Sequence, residues 1–247
     1  MLYNGVSVLN LSGILDREKY AHCIICKRLR EKDSFGVLKG DIGICGACHE
    51  HLPFVPVGTV FERRGDKIRF SSSAFYYSSP IKELIIEYKF KRCTAYAEIF
   101  AEYMITCLNV ILEENQTFDY VIPVPLSEKR FKERGYNQAE LLSEKIAAHF
   151  GFEHNTTALM RTKSTNRQSG LPGWKRAKNT ENAFCADECQ VEKKSILLID
   201  DVFTTGSTAG ACAKVLFDAG ASSISVFTVA RKWQTSKSPE YYNLFIR

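Results

Sequence analysis

Asp200 and Asp201 close the apolar run 196–199 and are followed at once by Thr204-Thr205-Gly206-Ser207-Thr208. Two adjacent carboxylates repel one another and are costly to desolvate, so a fold that keeps them together gains something from the pair. Carboxylates accept hydrogen bonds from the vicinal hydroxyls of a sugar. A glycine among hydroxyl side chains, leading into a helix, lets backbone N–H groups approach a phosphate closely. One short segment thus offers acceptors for a ribose and donors for its phosphate. A lone Asp after a strand would instead read as a turn cap. The G-x4-G-K-[ST] phosphate loop is absent from the chain.

A second chemistry sits near the N-terminus. Cys23 and Cys26, then Cys45 and Cys48, form two C-x2-C knuckles eighteen residues apart. This spacing predicts a four-thiolate zinc site, with a redox dithiol as the alternative. Four sulfurs close the coordination shell, so the ion is expected to be structural and not catalytic. Gly43 and Gly46 are expected to supply tight turns around the second knuckle. The nine cysteines are an odd number, which argues against a pure disulfide framework.

Basic residues gather in three further places. Lys129, Arg130, Lys132, Arg134 and Asn137 follow Val124-Pro125-Leu126-Ser127 and could neutralise a pyrophosphate, or form a solvated basic loop. Arg161, Arg167, Gln168, Lys175 and Arg176 lie in or beside a long polar stretch. Lys89 and Lys91 alternate with Tyr88 and Phe90, a pattern suited to a nucleic-acid strand, or simply to lysines at a helix C-terminus.

The elements that must position these groups are legible in the punctuation. Ile81, Leu84, Ile85 and Tyr88 fall at helical spacing, and a second helix is expected from Ala95 to Leu112. From residue 118 the pattern alternates strand, loop and helix, which predicts a parallel sheet covered by helices. In such sheets ligands bind beyond the carboxyl ends of the strands, where all the motifs of this half fall. The 247 residues are 45% hydrophobic and 25% charged, with a net charge of +5, an ordinary globular balance. No stretch approaches the ~18–20 apolar residues of a membrane span, and the N-terminus does not read as a secretory signal.

ILLIDDVFTTGST resembles the phosphoribosyl pyrophosphate signature of type I phosphoribosyltransferases. Together with VIPVPLSEKRFKERGYNQAELL, RTKSTNRQSGLPGWKRAKNTENAF and the cysteine knuckles, it resembles the ComF/ComFC competence family over roughly residues 20–231. The resemblance implies a type I phosphoribosyltransferase-like parallel sheet flanked by helices, with a small N-terminal four-cysteine zinc domain. It divides the chain into a zinc finger (1–57), linking strands and helices that form part of a hood or connector (58–117), and the phosphoribosyltransferase-like domain (118–247). Asp200 and Asp201 would hold the ribose and serve as the catalytic pair, and Thr204 to Thr208 would wrap the 5′-phosphate. Val124, Pro125, Leu126, Ser127, Arg134 and Asn137 would form the pyrophosphate loop. Arg161, Arg167, Gln168, Lys175, Arg176, Lys89 and Lys91 are candidates for lid or nucleic-acid contacts. The implied cofactors are structural Zn2+, and Mg2+ with phosphoribosyl pyrophosphate. The implied role is the handling of incoming single-stranded DNA in natural transformation, in the cytoplasm or at the inner face of the inner membrane through partners. Those partners are single-stranded DNA, the ComF helicase-like ATPase and recombination mediators. The alternative is an active phosphoribosyltransferase of nucleotide metabolism acting on an unidentified nucleophile. No glutamine-hydrolysing nucleophile is legible, since Cys23 belongs to a knuckle.

Overall fold

The computed structural model describes residues 19–61, 67–112, 117–162 and 183–233, and the backbone of 241–243. The chain divides into two compact units, Met1–His51 and Leu52–Arg247.

In the first unit, β1 (Tyr20–Cys23), β2 (Leu29–Glu31), β3 (Phe35–Lys39) and β4 (Ile42–Cys45) form a sheet in the order β2-β1-β4-β3, followed by the one-turn α1 (Gly46–His49). β1 and β4 run parallel with Cys23 opposite Gly43, which brings the ends of both knuckle-bearing strands together. Few side chains are buried here: Ala21, Cys23, Ile24, Ile44 and Cys45.

Gly43 is needed for a reason other than the expected turn. It lies inside β4 opposite Leu38, next to an irregularity of β3 between Phe35 and Val37. A Cβ there would stand 2.2 Å from the Val37 carbonyl oxygen, closer than van der Waals contact allows. Gly46 opens α1 with only an ordinary contact, 3.4 Å to the Ser34 carbonyl. The tight turn of the first knuckle is made by Lys27, at φ 60°.

The second unit is built on a seven-stranded sheet. Its strands are β5 (Thr59–Phe61), β6 (Phe70–Tyr76), β7 (Tyr120–Pro123), β8 (Glu153–His154), β11 (Ser195–Phe203), β12 (Ser223–Arg231) and β13 (Tyr241–Asn243), in the order β13-β5-β6-β12-β11-β7-β8. The five strands from β6 to β8 are parallel, and β5 and β13 close one edge antiparallel. Residues 58–117 therefore contribute β5 and β6 to this sheet, besides the helices α2 (Ile81–Phe90) and α3 (Tyr96–Ile111). The antiparallel pair β9 (Leu159–Arg161) and β10 (Phe184–Ala186) stands apart from the sheet.

The two faces have different covers. α3 and α5 (Gln138–Phe150) pack on one face, and α7 (Ser207–Asp218) on the other. Alternation along β11 decides which side chain meets which cover. Ile196 and Leu198 join Ala209, Cys212, Ala213 and Leu216 of α7 in one core, with Leu159 and Phe184 from the antiparallel pair. α4 (Glu128–Arg134) and the short α6 (Glu188–Val191) complete the helices described. Among the described residues, no helix is long and apolar enough to cross a membrane.

Candidate functional site

The apolar run does not stop at the aspartates. β11 continues through Asp200 and Asp201 to Phe203, still paired with β12 as far as Phe203 opposite Arg231. Its other neighbour, β7, ends sooner: the last register pair is Ile199 with Pro123, and the Val124 N–H donates to the Ile199 carbonyl at 2.8 Å. From Asp200 onward, β11 is thus an open strand edge at the carboxyl end of the sheet. Period-two alternation sends the two carboxylates to opposite sides, Asp200 toward the α7 layer and Asp201 toward the α2 side.

The aspartates differ in state. Lys89 Nζ stands 2.8 Å from Asp201 Oδ1, and both side chains are largely buried, at 18% and 12% exposed. Asp200 Oδ1 accepts the Asp201 backbone N–H at 2.8 Å. Burial, then the charge of Asp201, raises the Asp200 carboxyl to about 7, against that hydrogen bond and the charges of Lys89 and Arg130. Beneath it, burial pushes the Cys212 thiol far up, helped by the Asp200 charge.

After Phe203 the chain turns through Thr204, Thr205 and Gly206. Gly206 is the N-cap of α7 in the left-handed region, φ 77°, a conformation that a Cβ would strain. Thr205 Oγ1 and Ser207 Oγ lie 2.7 Å apart, and Thr205 Oγ1 also accepts the Ser207 N–H at 3.3 Å. Thr204, Thr205, Ser207 and Thr208 are exposed around the start of this twelve-residue helix. N–H groups of a first helical turn lack intrahelical acceptors and favour an anion.

The loop after β7 is fixed by its own side chains. Ser127 caps α4 by accepting the Arg130 N–H at 3.3 Å. Asn137 caps α5 by accepting the Ala139 N–H at 3.1 Å, while its amide donates to the Val124 carbonyl at 3.1 Å. Its side chain is therefore engaged in holding the loop to the end of β7. Arg134 is buried and donates from Nη1 to Gln138 Oε1 at 2.7 Å. The Arg134 Nε and Gln138 Nε2 groups are buried with no hydrogen-bond partner. A buried guanidinium with no carboxylate partner among the described residues suits an incoming anion. Pro123, Pro125, Leu126, Phe131 and Thr156 help line a cavity of about 530 Å3 beside this loop.

α2 joins the two halves of the site. Tyr88 is fully buried and donates to the Gln138 carbonyl at 3.0 Å; the Tyr136 hydroxyl donates back to the Tyr88 carbonyl. Lys89 reaches Asp201, and the next residue, Phe90, lies over the Arg134 guanidinium at 5.1 Å with its ring 63% exposed. Lys91 pairs with Glu87 at 3.0 Å on the surface. Lys89 is therefore set among the aspartates, a placement its grouping with Lys91 did not anticipate. The available signal was its position next to Tyr88, on the border of the buried stripe. Arg161 is exposed and stacks over Phe184 at 5.0 Å. Arg167, Gln168, Lys175 and Arg176 lie outside the described residues.

In the first unit the four sulfurs of Cys23, Cys26, Cys45 and Cys48 lie within 4.8 Å of one another. A tetrahedron with Zn–S bonds of about 2.3 Å has edges of about 3.8 Å, so small shifts would seat an ion. Burial opposes ionisation of Cys23, but hydrogen bonds from the Cys45, Cys26 and Ile25 backbones outweigh it and bring the thiol down to about 7. Burial and the neighbouring thiols push Cys48 up to about 12.

A DNA utilization protein, YhgH, of Escherichia coli (strain K12) is 30% identical to this chain over 215 residues, 85% of this chain and 89% of its own length. Competence protein F of Haemophilus influenzae is 31% identical over 160 residues, covering 63% of this chain and 70% of its own. This chain belongs to the ComF/ComFC family. No protein-family model matches it. Among solved structures, adenine phosphoribosyltransferase from Thermoanaerobacter pseudethanolicus is 17% identical, covers 53% of this chain and 79% of its own, and has a TM-score of 0.34. That score is too low to bear on the assignment. In this ComF/ComFC chain the type I phosphoribosyltransferase-like fold stands on the five parallel strands, the helices on both faces, and the signature loop at the carboxyl end of β11.

Proposed function

We propose that this ComF/ComFC protein binds phosphoribosyl pyrophosphate at the end of β11 and acts in the handling of single-stranded DNA during natural transformation. The observation that carries the ligand reading is the open end of β11. Two carboxylates lead there through a left-handed Gly206 into a helix start, and a buried Arg134, with no acidic partner among the described residues, stands at the end of the neighbouring α4. Asp200 and Asp201 would accept from the ribose hydroxyls, Thr204 to Thr208 would hold the 5′-phosphate, and Arg134 would take the pyrophosphate. Asn137 and Ser127 would act by shaping the loop. Asp200 and Asp201 are hard oxygen donors of the kind Mg2+ accepts. Lys89 already occupies one oxygen of Asp201, so a magnesium ion would be held largely by oxygens of the ligand. When bound, it would neutralise pyrophosphate charge.

The names of the relatives, a DNA utilization protein and a competence protein, support the DNA role. The exposed Phe90 beside Lys91 offers a stacking surface with positive charge. The cysteine cluster would hold Zn2+ as a structural ion. Contacts with the helicase-like ATPase and recombination mediators, and a cytoplasmic location, follow from the same reading.

Isothermal titration with phosphoribosyl pyrophosphate and Mg2+ is the test. Binding is expected in the wild type and lost when Asp200→Ala and Asp201→Ala are combined. An unchanged affinity in the double variant would refute the ribose assignment. For the DNA role, affinity for a single-stranded oligonucleotide should fall steeply with salt and weaken in Phe90→Ala by about 1–3 kcal/mol.

A further inference from the structure

Binding a polyanion next to two carboxylates sets an electrostatic problem. A sugar pyrophosphate carries several negative charges, and Asp200 and Asp201 would repel it at the same end where they accept its hydroxyls. A divalent ion carried with the ligand is one remedy, and the chain contains another. Lys89 Nζ lies 2.8 Å from Asp201 Oδ1, with both groups largely withdrawn from solvent. Only one oxygen is engaged, so Asp201 keeps acceptor capacity for a hydroxyl. Asp200 has no ion pair among the described residues; its contact is the Asp201 N–H.

Lys89 is not a loose surface lysine that happens to fold inward. It is flanked by Tyr88, fully buried and tied to α5, and by Phe90, seated over Arg134. Its backbone is thereby fixed and its ammonium delivered to the aspartates from a helix outside the sheet. It also lowers the electrostatic cost of ionising Asp200.

We propose that Lys89 is a built-in counter-cation of the sugar-phosphate site, cancelling the charge of Asp201 so that phosphoribosyl pyrophosphate binds without a divalent metal. The proposal rests on the ligand reading given above and adds a residue and a property to it. Lys89 is a positioning residue: it acts through Asp201.

The experiment is titration of the full-length protein with phosphoribosyl pyrophosphate in EDTA and in Mg2+, for the wild type, Lys89→Gln and Lys89→Arg, with thermal melts to confirm that each variant folds. The wild type should lose no more than about tenfold in affinity on removal of the metal. Lys89→Gln should lose on the order of a hundredfold in EDTA and recover to within a few-fold in Mg2+. Lys89→Arg should follow the wild type, because it keeps the charge. A merely structural role would weaken both arms equally, and that result overturns the proposal. So does a wild type that binds in Mg2+ but not in EDTA, or a Lys89→Gln variant indistinguishable from it. A wild type that binds in neither condition sinks the ligand reading together with this proposal.

Discussion

The four-cysteine unit and the α/β unit hold their shapes by different means. Among its described residues the first buries Ala21, Ile24 and Ile44 besides two of its cysteines, a small apolar core for four strands. A cross-link through the four sulfurs would supply order that so small a core does not. The second buries central strands on both faces, with Ile196 to Ile199 all at 0% exposure. That core is strong enough to tolerate two aspartates in a central strand. The contrast teaches where costly buried charge can be kept: beside a large apolar core, and not in a unit with so few buried side chains.

Replacing a knuckle ligand should have the largest effect. Cys45→Ser is expected to release the metal and abolish the folded state of the N-terminal unit, while the melting of the α/β unit moves far less. Metal content together with hydrogen exchange over residues 19–51 reads this, and retained protection without metal would break the comparison. Leu197→Ala should act on the other side. It removes a fully buried side chain of β11 and should destabilise the α/β unit by about 3 kcal/mol, measured by denaturant unfolding.

A smaller effect is expected from acid. The Asp200 carboxyl is raised to about 7 by burial and by Asp201, whereas an unfolded Asp titrates near about 3.9. Between those values the native state binds a proton that the unfolded state releases, so the stabilising contribution is full below pH ~4 and lost as pH rises through ~7. Asp200→Asn should flatten this slope in melts across pH 5–8 and raise stability at pH 8. A slope that persists in the variant would place its origin elsewhere. The smallest effect should come from Asp218→Ala. The Lys214–Asp218 pair, 2.7 Å long but half exposed, is worth at most about 0.5 kcal/mol.

Much of this was legible in the sequence, and the reasons are local. The knuckle spacing announced the sulfur cluster because two residues between thiolates is a geometric requirement. The turn into α7 was legible because a glycine among hydroxyl residues marks a helix start. Other features depend on partners distant in the chain. Ser71, Ser72 and Ser73 are polar, yet they sit in the buried heart of β6. There the Ser73 hydroxyl meets Thr228 and the Ser72 hydroxyl donates to the Thr59 carbonyl. The extent of β11 was underestimated because the aspartates read as its end, whereas pairing with β12 carries the strand past them. The Lys89–Asp201 pair spans more than a hundred residues, and nothing in the spacing of either motif foretells it.

The alternation that parts the two aspartates makes motif length as demanding as motif composition. Removing a single residue between Ser195 and Asp200, with the start of β11 held in register by its neighbours, would leave both acids in the chain but exchange the layers they face. The acid now met by an ammonium would turn to the apolar helix, and its neighbour would inherit the lysine. A shortened strand with both acids and the whole loop intact should therefore fail as completely as one stripped of them.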